Sequence, residues 1–99
     1  CLFVLSVGGG NKENNISVAI IKALELAVSK KSKILGVVGR DGGYIAKLAN
    51  ECIIIPTLSS DTITPHAESW QGVIWHLLVS HPRIMSMSNK WESIDQNSK

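Results

Sequence analysis

Two side chains of one predicted helix, with a glycine midway between them, are spaced so that they could act together on a ligand. Glu68, Gly72 and His76 follow one another at intervals of four residues, so each lies about 40° around the helix from the one before and all share a face. A carboxylate and an imidazole on either side of a glycine leave a notch for a sugar hydroxyl or a metal ion. A metal would need further ligands from elsewhere.

Structural explanations of the same residues stay open. His76 lies between Trp75 and Leu77, and a histidine among apolar neighbours is often buried and hydrogen-bonded. Glu68, one turn into the helix, is favoured by the positive end of the helix dipole in any case. Weaker cases for chemistry on the same segment are Gln71, His66 and His81.

Glycine-rich turns follow two runs of apolar residues, an arrangement typical of phosphate sites. The turns read Gly8-Gly9-Gly10-Asn11 and Gly39-Arg40-Asp41-Gly42-Gly43. A buried strand, a glycine turn and a helix place unpaired backbone N–H groups and the helix dipole at one spot, which favours an anion. Neither a Walker loop nor a dinucleotide fingerprint is present. The predicted phosphate-binding residues are Ser6, Gly8, Gly9, Gly10, Asn11 and Asp41.

Alternatives exist at both turns. The first could be a tight strand-to-helix connection without a ligand, in which the glycines serve the backbone alone. In the second, Asp41 could cap the following helix instead of binding a ligand, and Arg40 could be a solvated charge instead of an anion ligand.

The elements that would position these residues alternate between strands and helices. Apolar runs predict buried strands over 2–7, 34–38 and 52–55, and helical periodicity predicts helices over 14–29, 44–49 and 64–80. Asn14 or Asn15 is the expected cap of the first helix, and Thr64-Pro65 the expected start of the last. Short connections between these elements imply a parallel sheet in an α/β fold, a three-layer α-β-α sandwich.

A sheet of three parallel strands leaves an exposed edge that further strands would cover. The chain also enters its first strand at Cys1-Leu2-Phe3 with no initiator methionine. We therefore expect the C-terminal part of a longer protein, with a domain over 1–82 and a partly disordered tail over 83–99.

Composition narrows the class of partner. A net charge of +2 gives no reason to expect nucleic acid or a charged membrane surface. No apolar run is long enough to span a bilayer, and no signal peptide is visible. Cys1 and Cys52 fit small apolar residues of a reducing compartment, so we expect a cytoplasmic protein.

At this point the chain resembles the sugar isomerase (SIS) domain, and within it the phosphoheptose isomerases. The 39–43 turn, with Ala46 and Leu48-Ala49 after it, is similar to the Thr-Gly-Lys-Asp-Gly-Gly turn and helix of those enzymes. The segment from Glu68 to His76 resembles their last helix, in which a glutamine precedes a histidine by eight residues. The first turn departs: the family has Ser-Thr-Ser-Gly-Asn-Ser, and only Ser6 clearly matches.

The resemblance implies a five-stranded parallel sheet, of which this chain holds the last three strands. It implies conversion of sedoheptulose 7-phosphate to a heptose 7-phosphate through an enediol. His76 and Glu68 would be the catalytic residues, and both would be ligands of a zinc ion, with Glu68 in place of the family's glutamine. The partner would be a phosphorylated sugar, and the protein a homodimer or homotetramer.

Three functions stay open on this basis. The first is a phosphosugar isomerase that serves lipopolysaccharide or capsule synthesis. The second is a non-catalytic SIS module that senses a phosphosugar, and the third is a scaffold for oligomer assembly.

Overall fold

Three parallel strands form one sheet in the computed structural model, which describes residues 1–85. They are β1 (Leu2–Ser6), β2 (Ile34–Val38) and β3 (Glu51–Ile54), in the spatial order β1-β2-β3. In the register of the sheet, Ser6 lies beside Val38 and Val38 beside Ile54. The carboxyl ends of the strands therefore meet at one edge, as expected for an α/β fold with a parallel sheet.

Three helices connect or follow the strands: α1 (Val18–Ser29), α2 (Gly43–Leu48) and α3 (Ile63–Ser80). A short 3-10 turn, Ser60–Thr62, leads into α3. Among residues 1–85, none of the helices combines the length and the hydropathy that a membrane-spanning segment requires. Most of the tail that we predicted to be partly disordered, residues 86–99, lies outside the part of the chain that the structure describes.

Helix α1 begins four residues later than predicted, and neither Asn14 nor Asn15 caps it. Asn15 and Ser17 adopt left-handed backbone conformations, with φ of 54° and 58°. Asn11 and Ile16 exchange two backbone hydrogen bonds across the intervening loop. Asn and Ser favour such local turns, because their short polar side chains compete with helical hydrogen bonding. The loop therefore takes up residues that periodicity alone assigned to the helix.

Helix α3 begins at Ile63, before the predicted Thr64-Pro65 start. Its N-cap residue is Thr62, whose side chain makes no capping hydrogen bond. Pro65 is then the third helical residue. This position tolerates proline, because the first four N–H groups of a helix have no partner within the helix.

The main core lies between the sheet and the pair α1–α2. Its buried cluster consists of Leu24, Ala27, Ile34, Val38 and Ile45. On β1, Leu2 and Val4 pack against this cluster, whereas Phe3 and Leu5 are 38% and 43% exposed. Successive strand residues point to opposite faces. The opposite face of β1, which we expected to be buried too, is therefore largely uncovered within the described chain.

Candidate functional site

A cleft of about 880 Å³ opens at the carboxyl ends of the strands, between the two glycine-rich turns. Gly8, Gly10 and Asn11 line it from the first turn, and Arg40 and Asp41 from the second. Open parallel sheets place their ligands at this end of the strands. The cleft therefore brings together four of the six residues predicted to bind phosphate: Gly8, Gly10, Asn11 and Asp41.

The two turns are locked to each other by backbone hydrogen bonds. The N–H of Tyr44 donates to the carbonyl of Gly10, and the N–H of Ile45 to that of Gly9, both at 3.0 Å. A Cβ atom on Gly9 would collide with the carbonyl oxygen of Gly42. Hence the first amides of α2 are used by the first turn, and Gly9 is needed for close packing of the turns.

Three residues in or beside the first turn have backbone N–H groups that find no partner among the described residues. Among the hydrogen bonds found within residues 1–85, none is donated by the backbone N–H of Gly8, Gly10 or Lys12. All three residues line the cleft. Backbone N–H groups gathered in a glycine-rich concavity are suited to an anion.

Two of the predicted ligands instead hold the turns in shape. The hydroxyl of Ser6 accepts the N–H of Gly9 at 3.1 Å. The carboxylate of Asp41 accepts the N–H of Gly43 at 3.0 Å, and Asp41 also lines the cleft. The N-cap of α2 is Gly42, so Asp41 stabilises the turn just before the helix and is not its N-cap residue.

Asn11 also takes part in shaping its turn. Its side-chain Oδ1 accepts the N–H of Asn14 at 3.0 Å. Asn11 lines the cleft as well, and its carboxamide N–H groups are the part suited to an anion.

Three basic side chains, Lys12, Arg40 and Lys47, belong to residues that line the cleft. Lys12 Nζ lies 2.7 Å from Glu25 Oε1 and 5.8 Å from the centre of the Tyr44 ring. The hydrogen bond and the charge of Glu25 raise the pKa of Lys12, and the hydrogen bond from Lys12 lowers the pKa of Glu25. Lys12 therefore stays protonated to higher pH than an isolated lysine.

Tyr44 and Lys47 line the cleft although our sequence analysis did not single them out. Both follow the second turn on the short helix α2, with Tyr44 directly after Gly43. The available signal was that both residues closely follow the glycine turn in the sequence, which keeps them near it in space.

Glu68 and His76 are exposed, and neither lines the cleft. Helix α3 faces the sheet with Ala67 and Gln71, its buried residues. His76 is nine residues from Ala67, which puts it about 180° away around the helix. The buried-histidine alternative for His76 is therefore wrong, and the structure does not bring this pair to the glycine cleft.

The two side chains are also widely spaced along α3. Eight residues correspond to about 12 Å of helix axis, so a shared ion would require both side chains to extend toward each other. Residues 1–85 contain no group of three or more His, Cys, Asp or Glu that could hold a metal.

Gln71, for which the sequence offers only a weak case for chemistry, connects α3 to the ends of two strands. It is 7% exposed, and its Nε2 donates to the carbonyls of Ser6 and Val37, both at 3.0 Å. The available signal was a carboxamide in an apolar stripe, four residues after Ala67.

Comparisons with known proteins point to sugar phosphate chemistry in a relative. A phosphoheptose isomerase from Aneurinibacillus thermoaerophilus is 30% identical over 93 residues, which are 94% of this chain and 42% of that protein. The lincomycin biosynthesis protein LmbN from Streptomyces lincolnensis is 32% identical over 81 residues, which are 81% of this chain and 30% of that protein. No family model matches, and no solved structure matches significantly. The chain thus spans less than half the length of either relative, and it is distantly similar to a phosphoheptose isomerase.

Proposed function

We propose that this chain supplies three strands of a sugar isomerase (SIS) domain whose glycine cleft holds the phosphate of a sugar phosphate. We further propose that the complete protein interconverts sedoheptulose 7-phosphate and a heptose 7-phosphate. The observation that carries the proposal is the set of unpaired amides of Gly8, Gly10 and Lys12 in a cleft at the carboxyl ends of parallel strands. The similarity to a phosphoheptose isomerase supports the same substrate class.

Basic residues and size are compatible with this ligand. Lys12 and Arg40 line the cleft from its two sides, although Glu13 and Asp41 line it too and Lys12 is paired with Glu25. A phosphate would therefore compete with Glu25 for Lys12, in return for a charge-assisted hydrogen bond. A volume of about 880 Å³ lies within the range of small-molecule sites, about 300–1,000 Å³. A phosphorylated seven-carbon sugar is compatible with that space.

For the chemical step we propose Glu68 and His76. Moving a carbonyl by one carbon through an enediol needs a group that removes the proton beside the carbonyl and a group that handles the hydroxyl proton. An imidazole and a carboxylate are suited to these roles. Because both side chains lie outside the cleft of their own chain, they would serve a site completed by other parts of the protein or by a neighbouring subunit of a homodimer or homotetramer.

A zinc ion fits the donor types on this face of α3. Imidazole nitrogen and carboxylate oxygen are both zinc ligands, so Glu68 and His76 would hold part of its coordination shell. The remaining ligands would come from outside the described residues, which contain no group of three. When bound, the ion would polarise a substrate oxygen.

A second candidate is a non-catalytic module that senses a phosphosugar. The observation in its favour is that Glu68 and His76 do not line the glycine cleft. Under this proposal the cleft binds the sugar phosphate and α3 contacts a partner.

An assay of the full-length protein with sedoheptulose 7-phosphate separates the two. The isomerase proposal expects turnover, with His76→Ala lowering kcat by about 100-fold or more. It also expects Lys12→Met to weaken sugar phosphate binding by about tenfold, the loss of one charge-assisted contact. The matched control is Lys33→Met, an exposed lysine at the amino end of β2, which should leave binding unchanged. Binding without turnover would favour the sensor, and absence of binding would contradict both.

A further inference from the structure

Gln71 stands out as a polar residue in the interior of the described chain. It is 7% exposed on the sheet-facing side of α3, beside Ala67, which is 2% exposed. An uncharged polar group at such a place is costly unless its hydrogen bonds are made. Both donors of the Gln71 amide are used, one on Ser6 O and one on Val37 O.

The chemistry of the partners selects an amide at this position. Both acceptors are backbone carbonyl oxygens, so the side chain must supply two donors from one nitrogen. A carboxylate would place lone pairs against two carbonyls, and an apolar side chain would leave the carbonyls without these bonds. The position therefore requires a side chain with two donors, and glutamine supplies them without burying a charge.

The two carbonyls lie where the glycine turns begin. Ser6 is the last residue of β1, and its hydroxyl accepts the N–H of Gly9. Val37 is the penultimate residue of β2. The N–H of Gly39, where the second turn begins, also donates to Ser6 O.

Helix α3 makes a second close contact with the same region. A Cβ atom placed on Gly39 would be 3.2 Å from the Cβ of Ala67. Ala67 and Gln71 thus pack α3 against the residues where both turns begin. Gln71 provides the hydrogen bonds of this contact.

We propose that Gln71 is a positioning residue that fixes the glycine turns of the cleft, through its two hydrogen bonds to the ends of β1 and β2. These bonds hold the first turn, with Gly8 and Gly10, in place at the wall of the cleft. They also hold α3, with Glu68 and His76, at a fixed position relative to that cleft. The role in ligand binding rests on the proposed function, whereas the role in holding the turns can be measured without a ligand.

The test compares two variants of the full-length protein. Gln71→Met keeps the length of the side chain and removes both donors. Leu78→Ala is the matched control, because Leu78 lies two helical turns along the same side of α3, is half-buried and reaches no strand carbonyl through its side chain. Hydrogen exchange of the Gly9 and Gly39 amides reports on the turns, and inorganic phosphate reports on the cleft.

We expect Gln71→Met to speed exchange at Gly9 and Gly39 by about tenfold, the order of effect for losing two hydrogen bonds of modest net strength. The Kd for phosphate should rise by about fivefold, since part of that loss reaches the cleft. Leu78→Ala should lower the melting temperature yet leave exchange at these amides and the Kd near wild type. Equal changes in the two variants, or no change in Gln71→Met, would overturn the proposal.

Two further results would still test the proposal if Gln71→Met fails to fold or if the wild type binds no phosphate. If Gln71→Met does not fold, Gln71→Asn retains the amide on a side chain one methylene too short for both carbonyls. Wild-type exchange at Gly9 and Gly39 in that variant would overturn the proposal. If the wild-type protein binds neither phosphate nor sugar phosphate while Gln71→Met still speeds exchange, the proposed function fails and the positioning of the turns by Gln71 stands.

Discussion

Two neighbouring glycines in the first turn differ in the space around them. Gly9 has φ of 76°, and a Cβ there would strike the carbonyl of Gly42 in the second turn. Gly8 has nothing within 4 Å of an added Cβ, and it lines the cleft. The residue type is the same, but Gly9 allows the two turns to pack closely, whereas Gly8 borders open space in the cleft.

This contrast predicts different outcomes for the two alanine variants. Gly9→Ala should lower the free energy of unfolding by about 2 kcal/mol or more, since a left-handed backbone and a steric clash add together. Gly8→Ala should change it by less than about 0.5 kcal/mol. Urea denaturation of the full-length variants measures both. Equal destabilisation would contradict the interlocked turns.

The ion pair of Lys12 and Glu25 predicts a pH dependence. The lowered pKa of Glu25 adds stability that is present above its unfolded value and is lost as the pH falls through the folded value. The raised pKa of Lys12 adds stability that is present below its unfolded value and is lost as the pH rises through the folded value.

Thermal unfolding of wild type and Glu25→Gln across acid to alkaline pH tests this sign. The wild type should be the more stable form between the two titrations, and the difference should vanish at both extremes and shrink in high salt, because the pair is exposed. Glu51→Gln, an exposed carboxylate at the start of β3, is the control. A difference that persists in strong acid would contradict the pairing.

At the scale of elements, Ile45 is the most deeply buried contact between α2 and the core, to which Tyr44 and Leu48 also pack. Ile45 is fully buried in the core cluster and is the one buried residue that α2 contributes. The same helix carries Tyr44 and Lys47 into the cleft. The position of the second wall of the cleft therefore depends on packing as well as on the backbone bonds to the first turn.

Removing that anchor should be costly. Ile45→Ala should lower the free energy of unfolding by about 2–5 kcal/mol, the usual range for a large-to-small change in a core. Leu58→Ala, at a side chain that is 77% exposed, should change it by less than about 0.5 kcal/mol. Denaturant unfolding of both variants measures these free energies. A similar loss of stability in Ile45→Ala and Leu58→Ala would contradict the burial of Ile45 in the core.

The strands and turns were predictable because their signals are local. Apolar runs that end in glycine marked β1 and β2 within a residue of their observed ends, Ser6 and Val38. The starts of α1 and α3 were not predictable in this way. Periodicity does not reveal that Ser17 is left-handed or that a 3-10 turn leads into α3.

The site was predictable only in part, for a related reason. The glycines and Asp41 predict a turn at the end of a strand. Whether a backbone N–H in that turn already has a hydrogen-bond acceptor depends on the other residues that the fold brings next to it. Gly9 donates to Ser6, and Tyr44 donates to Gly10 across the two turns. The role of Gln71 depends on residues 65 and 34 positions away, which no local spacing shows.

On the scale of the whole molecule, apolar surface remains uncovered on the side of the sheet where α3 lies. Phe3 and Leu5 are exposed on β1, and Trp70, Trp75 and Leu77 are between 44% and 63% exposed on α3. Large apolar surfaces of this kind are typical of contacts with other protein segments or subunits. They fit the proposed homodimer or homotetramer.

The full-length protein should therefore sediment as a dimer or tetramer. Replacing Trp70 and Trp75 together by serine should shift it toward the monomer, because aromatic anchors carry much of the energy of an interface. Leu58→Ser, at an exposed loop residue, should leave the assembly intact. Analytical ultracentrifugation makes the comparison. An unchanged assembly in the double variant would contradict a subunit contact on α3.

The most direct measurement is an amide NMR titration of the full-length protein with sedoheptulose 7-phosphate. If the cleft holds the phosphate on main-chain amides, the signals of Gly8, Gly10 and Lys12 will move furthest and in step, and inorganic phosphate will reproduce part of the change. Saturable binding that leaves these three signals in place would contradict the account.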